Sequence, residues 1–388
     1  MVIPSRGRAR TGLVGAAMAV ALLLAGCSGG SAGGSAPQTQ SAPPPKVTTE
    51  PANGAVDVNP KTPIRLTVAD GTLEEVRLTN PEGKPVEGQL APDKKSWASD
   101  TPLGYAKTYT WSGKARGADG KETPVEGSFT TVKPKSKVRA TLFPYQGEVG
   151  VGMPISVKFD QPVRDKAAAE KALKVETSVP VEGSWGWLSA SQVDWRPKDY
   201  WPAGTKVKVS ANLYGVSYGD GAWGVDDLTG DFAIGRNQVV KINTPTHQMD
   251  VYRDGQKVAS YPASFGRDDV PDLNTPNGTY IVMEKRDTFS FDNPKYGYTN
   301  VLKKWAVRFS NHGEFIHENE DNRANIGRAN TSHGCANLTE PDARAYYNSA
   351  MVGDPVEVTG AAYTLPAQFD VYDWQIDWPT WQSKSALR

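Results

Sequence analysis

Cysteine is scarce in this chain. Only Cys27 and Cys335 occur among 388 residues. Charge of one sign is lacking too: 43 basic residues face 43 acidic ones. Composition therefore gives no case for nucleic-acid binding. Leucine-rich helical stretches are few. The apolar run from Leu13 to Ala25 is shorter than the ~20 residues a membrane-spanning helix needs. What is plentiful is glycine (38), proline (29), tyrosine (15) and tryptophan (11). That profile predicts a mainly β chain with many turns. The length allows two to four domains at roughly 100–200 residues each.

Residues 1–27 read as a secretory signal. Arg6, Arg8 and Arg10 form a basic start, and the apolar run follows. It ends in Leu24-Ala25-Gly26-Cys27, which resembles the bacterial lipobox, where the cysteine is lipidated and becomes the new N-terminus. The expectation is a lipid on Cys27 and a chain anchored to the cell membrane, facing the cell wall. From Ser28 to Lys46 the chain is mostly Gly, Ser, Ala, Pro and Gln. Such a segment lacks the apolar residues to offset its ordering entropy, so 28–46 is expected to be a flexible linker. With Cys27 lipidated, Cys335 has no intramolecular partner. A lone thiol outside the membrane risks oxidation, and its presence suggests chemistry.

The next two segments resemble each other. One begins Glu50-Pro51-Ala52-Asn53-Gly54, the other Phe143-Pro144-Tyr145-Gln146-Gly147. Each continues into an alternating strand, Ile64–Val68 and Ile155–Phe159, and each later carries Val-Glu-Gly, at Val86–Gly88 and Val181–Gly183. A second alternating strand follows in both, Lys107–Trp111 and Lys206–Ser210. Short alternating strands between Gly/Pro turns predict two immunoglobulin-like β-sandwiches, over 47–134 and 135–236. Trp185, Trp187, Trp195, Trp201 and Trp223 cluster in the second copy. Core packing is the plain reading, and a sugar-binding face the sharper one.

A third unit is expected over 237–360. Val239–Asn243 and Gln248–Tyr252 read as strands, and Asp254-Gly255 as a tight hairpin turn. Thr275-Pro276-Asn277-Gly278 precedes another strand, Thr279–Met283. Lys285–Lys303 is a long aromatic loop or hairpin, a plausible lid. A short helix should start after Thr339, with Pro341 in its first turn and Glu340 and Asp342 near its positive end. The Trp-rich tail, 361–388, should pack back through Trp374, Trp378 and Trp381.

The chemistry collects between His317 and Asn337. Cys335 follows Ser332-His333-Gly334, and His317 lies 18 residues upstream. A thiol is mostly protonated near neutrality. A neighbouring imidazole can take its proton and leave a nucleophile. Gly334 lets backbone approach a ligand closely, and consecutive amides can stabilise an oxyanion. This is the pattern of acyl transfer through a thioester. Cysteine plus two histidines also suits a zinc site, although no second cysteine or acidic ligand stands at matching spacing. His247 and His312 fall outside the pattern and read as structural or surface residues.

At these residues the chain resembles the L,D-transpeptidase catalytic domain. The family pattern is a histidine, a gap of mid-teens residues, then Ser/Thr-His-Gly-Cys, one residue, and Asn or Arg. Here that is His317, then Ser332-His333-Gly334-Cys335-Ala336-Asn337, and the resemblance extends over Gln238–Gly360. The layout of lipobox, two sandwiches, catalytic domain and Trp-rich tail resembles the mycobacterial and actinobacterial members. The resemblance implies that Cys335 is the nucleophile and His317 the general base, oriented by the Glu318 carbonyl. It implies an oxyanion hole from the amides of His333, Gly334 and Cys335. Ser332 and Asn337 would hold the loop, Tyr298 would be a lid tyrosine, and Met283 an apolar wall of the donor pocket. It further implies peptidoglycan stem peptides as substrates. A tetrapeptide donor would lose D-Ala, and a diamino-acid amine would accept the acyl group, giving a 3→3 link. Neither metal nor nucleotide is needed, and carbapenem β-lactams are implied inhibitors. The acidic run Glu318, Glu320 and Asp321 departs from the pattern. It reads as a solvated loop or as a site for a cationic group of the stem. Two other functions remain open on sequence: a non-catalytic wall-binding lipoprotein, and a sortase-like protein-anchoring transpeptidase.

Overall fold

A computed structural model describes residues 43–365 and 373–388. Cys27, the signal and most of the linker lie outside the described residues. Three separate hydrophobic cores follow one another along the chain.

The first two cores belong to β-sandwiches. In the first, Lys46–Glu50, Ile64–Ala69, Ser96–Ser99 and Gln89–Leu90 form one sheet. Gly71–Thr79, Thr108–Gly117, Glu122–Pro124 and Gly127–Thr130 form the other. Strict alternation puts Ile64, Leu66 and Val68 inside and Arg65, Thr67 and Ala69 outside. The second sandwich repeats this with Ala140–Phe143, Ile155–Phe159, Gln192–Pro197 and Gly183–Trp187 in one sheet. Its other sheet holds Gln146–Val149, Leu228–Ile234, Lys206–Ala211 and Leu173–Thr177. The repeated Val-Glu-Gly has a physical cause. A Cβ on Gly88 would stand 2.0 Å from the Trp97 ring, and one on Gly183 would stand 1.9 Å from the Trp195 ring. Only glycine leaves room for an indole to lie across the neighbouring strand. Trp185, Trp187, Trp195 and Trp201 are buried in this second core, so they pack rather than form a sugar-binding face.

In the third unit the strands are numbered β1 (Gln238–Asn243), β2 (Gln248–Arg253), β3 (Gln256–Pro262), β4 (Gly278–Ile281), β5 (Glu284–Asn293), β6 (Tyr298–Arg308), β7 (Phe315–Glu318), β8 (Ala336–Leu338) and β9 (Pro355–Thr359). One sheet has the order β3-β2-β1-β9-β4 and the other β5-β6-β7-β8. Asp254 and Gly255 both have positive φ, as a tight hairpin between right-twisted strands requires. The aromatic stretch is a hairpin, β5 with β6, closed by a one-turn 3-10 helix and left-handed Gly297. Helix α1 (Glu340–Ser349) starts where expected: Thr339 caps it by accepting from the Asp342 N–H.

The second sandwich is joined to this unit by backbone. The N–H groups of Gly150 and Gly152 donate to the carbonyls of Val352 and Gly353 at 2.8 and 2.9 Å. The tail closes the joint. Trp374 Nε1 donates to the Gly152 carbonyl at 2.7 Å and Trp381 Nε1 to that of Ser184 at 2.9 Å. The Arg196 guanidinium lies over both rings, a cation–π arrangement that keeps a buried charge solvated by aromatic faces.

Candidate active site

Register places the site. Strands β7 and β8 run parallel, with His317 opposite Asn337 and Ile316 opposite Ala336. Side chains alternate along a strand. Cys335 stands two residues before Asn337, so it shares a face with Asn337 and His317. All three line one cleft of about 360 Å³, together with Phe291, Tyr298, Lys303, Asn319, Asp321, Ser332 and His333.

The imidazole of His317 is held at both nitrogens. Nδ1–H donates to the Glu318 carbonyl at 2.6 Å. Nε2 accepts from Asn337 Nδ2 at 3.2 Å. The Asn337 amide is itself oriented, because its Oδ1 accepts from Asn319 Nδ2 at 2.9 Å and Asn322 Nδ2 at 3.1 Å. This network fixes the tautomer with its proton on Nδ1 and its lone pair on Nε2. Phe291 covers the ring at 4.9 Å between centroids, backed by Phe289 and Phe315. Burial pushes His317 down to about 4, against the raising pull of the Glu318 carbonyl. Burial likewise pushes the Cys335 thiol up to about 12, partly offset by the Phe315 N–H. At rest the pair is a neutral imidazole and a neutral thiol, not an imidazolium–thiolate pair, so proton transfer must accompany attack.

The loop before Cys335 is pinned from two sides. Ser332 Oγ donates to the Cys335 carbonyl at 2.5 Å and accepts from the Gly334 N–H at 3.2 Å. Thr275 Oγ1, from the Thr-Pro-Asn-Gly turn, donates to the Gly334 carbonyl at 2.8 Å. Gly334 has φ +113°, a region side chains avoid. The three expected oxyanion donors differ in the resting geometry. The Gly334 N–H is engaged by Ser332, whereas those of His333 and Cys335 have no acceptor among the described residues. His333 is exposed, its ring set against Tyr296 and Tyr298 at 5.4 Å each.

Met283 is not in this cleft. It lines a second cavity of about 260 Å³ with Met153, Ile281 and Trp374. Tyr280 and Val282 point into the catalytic core, so alternation turns Ile281 and Met283 the other way, toward the second sandwich. The acidic run has internal partners. Asp321 pairs with Lys303 at 2.8 Å and Glu320 with Arg323 at 2.7 Å. Glu320 also accepts from the Glu340 N–H at the start of α1 at 2.7 Å, a favourable place for a carboxylate. His247 bonds Asn330 at 2.9 Å. Among the described residues no three His, Cys, Asp or Glu side chains gather as metal ligands.

Phe291, Asn319 and Asn322 were not singled out from sequence. The signal for the amides was present, since Asn319, Asn322, Asn325 and Asn330 recur between base and thiol.

Comparison with known proteins gives the following. A model of the L,D-transpeptidase catalytic domain matches residues 237–358, and one of a bacterial Ig domain matches residues 55–217. The chain is 46% identical over 351 residues to L,D-transpeptidase 5 of Mycobacterium tuberculosis, covering 89% of this chain and 78% of that one. It is 37% identical over 353 residues to L,D-transpeptidase 2 of the same species, covering 88% and 85%. A solved L,D-transpeptidase in complex with imipenem is 31% identical and aligns with 58% of this chain and 100% of its own, with a TM-score of 0.49.

Proposed function

Because this chain belongs to the L,D-transpeptidase family, a class of acyltransferases, we propose that it joins peptidoglycan stem peptides through a thioester on Cys335. The observation that carries this reading is the one cleft lined by Cys335, His317 and Asn337, the last two opposed in the parallel register of β7 and β8.

Cys335 Sγ attacks the carbonyl that links residue three of a tetrapeptide stem to its terminal D-Ala. An S–C bond forms. His317 Nε2, giving up its bond from Asn337 Nδ2, takes the thiol proton as general base and gives it to the leaving amine as the C–N bond breaks. D-Ala departs and a thioester remains. The side-chain amine of a diamino acid on a second stem then attacks. A C–N bond forms, the C–S bond breaks, and the amine proton returns through His317 to the thiolate. The product is a 3→3 link, with no net oxidation or reduction. Glu318 and Asn337 keep the imidazole aimed, and Ser332 holds the loop. The amides of His333 and Cys335 are free to receive the developing oxyanion, and Tyr298 and His333 form the wall of the cleft on the lid side. A carbapenem presents a strained carbonyl to the same thiol and acylates it.

The test is mass spectrometry of muropeptides after purified protein is incubated with disaccharide-tetrapeptides. The expected products are free D-Ala and a dimer linked between third residues. Release of D-Ala without a dimer, or a dimer through another bond, overturns the proposal. The lipobox-like segment supports a second element: the enzyme is held at the membrane by lipid on Cys27. A single acyl chain anchors only marginally, so more than one is expected. Cys27→Ser should lose the lipid mass and leave the membrane fraction. Unchanged membrane partition would refute the anchor.

A further inference from the structure

Next to the nucleophile's loop lies a second ionisable pair. His312, Gly313 and Glu314 connect β6 to β7. Glu314 is buried at 2% exposure. Its Oε1 lies 2.5 Å from His312 Nδ1, and its Oε2 has no partner among the described residues. Backbone geometry puts this carboxylate against the peptide that precedes Cys335. Glu314 Cγ and Oε1 both stand 3.7 Å from the point a Cβ on Gly334 would occupy. The opposite side of the same short segment touches the thiol. Cys335 Sγ faces the Gly313 carbonyl at 4.0 Å and receives the Phe315 N–H.

We propose that His312 and Glu314 are a positioning pair for Cys335, in which the imidazolium offsets a carboxylate buried behind the Gly334–Cys335 peptide. The proposal rests on the reading of Cys335 as nucleophile. A buried, uncompensated carboxylate is costly and opposes a second negative charge nearby. Glu314 is among the causes that push the Cys335 thiol up, after burial. The imidazole is held above its ordinary range, chiefly by its bond to Glu314 and against the lowering effect of burial. Asp272 faces His312 from the loop before β4 and is itself paired with Lys295 at the tip of the lid hairpin. Tyr280, whose hydroxyl donates to the Pro276 carbonyl at 2.8 Å, feels Glu314 from β4. Neither Asp272 nor Tyr280 supplies a positive charge to Glu314. His312 is the cation in direct contact with Glu314, and it lets go as pH rises. Above that point the carboxylate stands uncompensated when the thiol must ionise.

The test is the pH dependence of Cys335 alkylation by iodoacetamide in the full chain, read at the Cys335 peptide by mass spectrometry. Glu314→Gln removes the negative charge in an equal volume. His312→Arg makes the positive charge permanent. A nearby like charge shifts a titration by about one unit or more. Both variants are therefore expected to lower the alkylation midpoint, with alkylation about tenfold faster at a fixed pH below it. A purely structural pair would not give the same signature when the carboxylate is neutralised and when the cation is fixed. An unshifted or raised midpoint in either folded variant, judged by its melting curve, overturns the proposal. If Glu314→Gln does not fold, His312→Arg decides alone. This titration reads the thiol whether or not Cys335 is the acylated residue. Failure of the mechanism would instead appear as a Cys335→Ala protein that still forms cross-links.

Discussion

Replacing Phe291 with alanine should move the acid limb of acylation toward neutrality. Phe291 lies 4.9 Å from the imidazole of His317, inclined at 40°, and belongs to the hairpin β5–β6 rather than to the strands that carry the pair. Under this cover His317 is 5% exposed and titrates at about 4 instead of 6.5. A general base works only while unprotonated, so the parent should hold its rate down to about pH 5. Removing the ring readmits water and lets the imidazole return toward about 6.5. At pH 5.5 the neutral fraction would fall from nearly all to roughly a tenth to a quarter, slowing acylation about four- to tenfold. Above about pH 7.5 the two proteins should converge, because both imidazoles are then neutral. Phe291 is half-buried, so the loss of stability should be about 1–2 kcal/mol, below the 3–5 typical of a full core phenylalanine. The assay is the second-order rate of carbapenem acylation against pH, with a melting curve at each point. An acid limb that does not move in a folded protein refutes the argument. So does a loss that is the same at every pH, since that would make Phe291 a substrate contact rather than a cover.

Two further outcomes follow from the same geometry. His317 binds a proton below about pH 6.5 when unfolded but only below about 4 when folded. Stability from this group is therefore complete above 6.5 and falls by about 3 kcal/mol as pH drops to 4; urea unfolding of His317→Gln should lack that share, and parallel pH curves for parent and variant would contradict it. Ser332→Ala removes the bridge between the Gly334 N–H and the Cys335 carbonyl; it should lower stability by about 1 kcal/mol and slow acylation at all pH values alike, whereas a shifted pH profile would mean that Ser332 acts on proton transfer instead.

Much of the fold was legible because its signals are local. Alternation at Ile64–Val68 and Ile155–Phe159 marks strands wherever they pack, and Asp254-Gly255 marks a turn. The repeated Val-Glu-Gly was visible as a pattern, but its cause, an indole lying across each glycine, is a contact between strands. The site divides in the same way. Cys335, His317 and Asn337 belong to a spaced motif that register then brings together. Met283 shows the limit. Alternation predicts that it faces opposite Tyr280 and Val282, but not which of those faces meets the catalytic core and which meets the second sandwich. The cover over His317 was hidden for a related reason. Phe291 lies 26 positions before the base, and only the pairing of β5 with β6 and β6 with β7 lays one over the other. The assignment of the Gly334 amide to Ser332 depends on a hydroxyl direction that residue order does not carry. His312 reads from sequence only as a structural or surface residue, because the burial of Glu314 beside it is a tertiary fact.

The central claim is that Cys335 forms the acyl-enzyme with His317 as its base. The most direct test is intact-protein mass spectrometry during reaction with a tetrapeptide donor or a carbapenem, followed by peptide mapping, for the parent, Cys335→Ala and His317→Ala. The parent should gain one acyl mass, mapped to Cys335. Cys335→Ala should gain none. His317→Ala should acylate the same thiol more slowly, by about 10²–10⁴-fold, recovering only at strongly alkaline pH because burial holds the thiol high. An adduct on any other residue, or a His317→Ala protein that acylates at the parental rate near neutrality, would contradict the account.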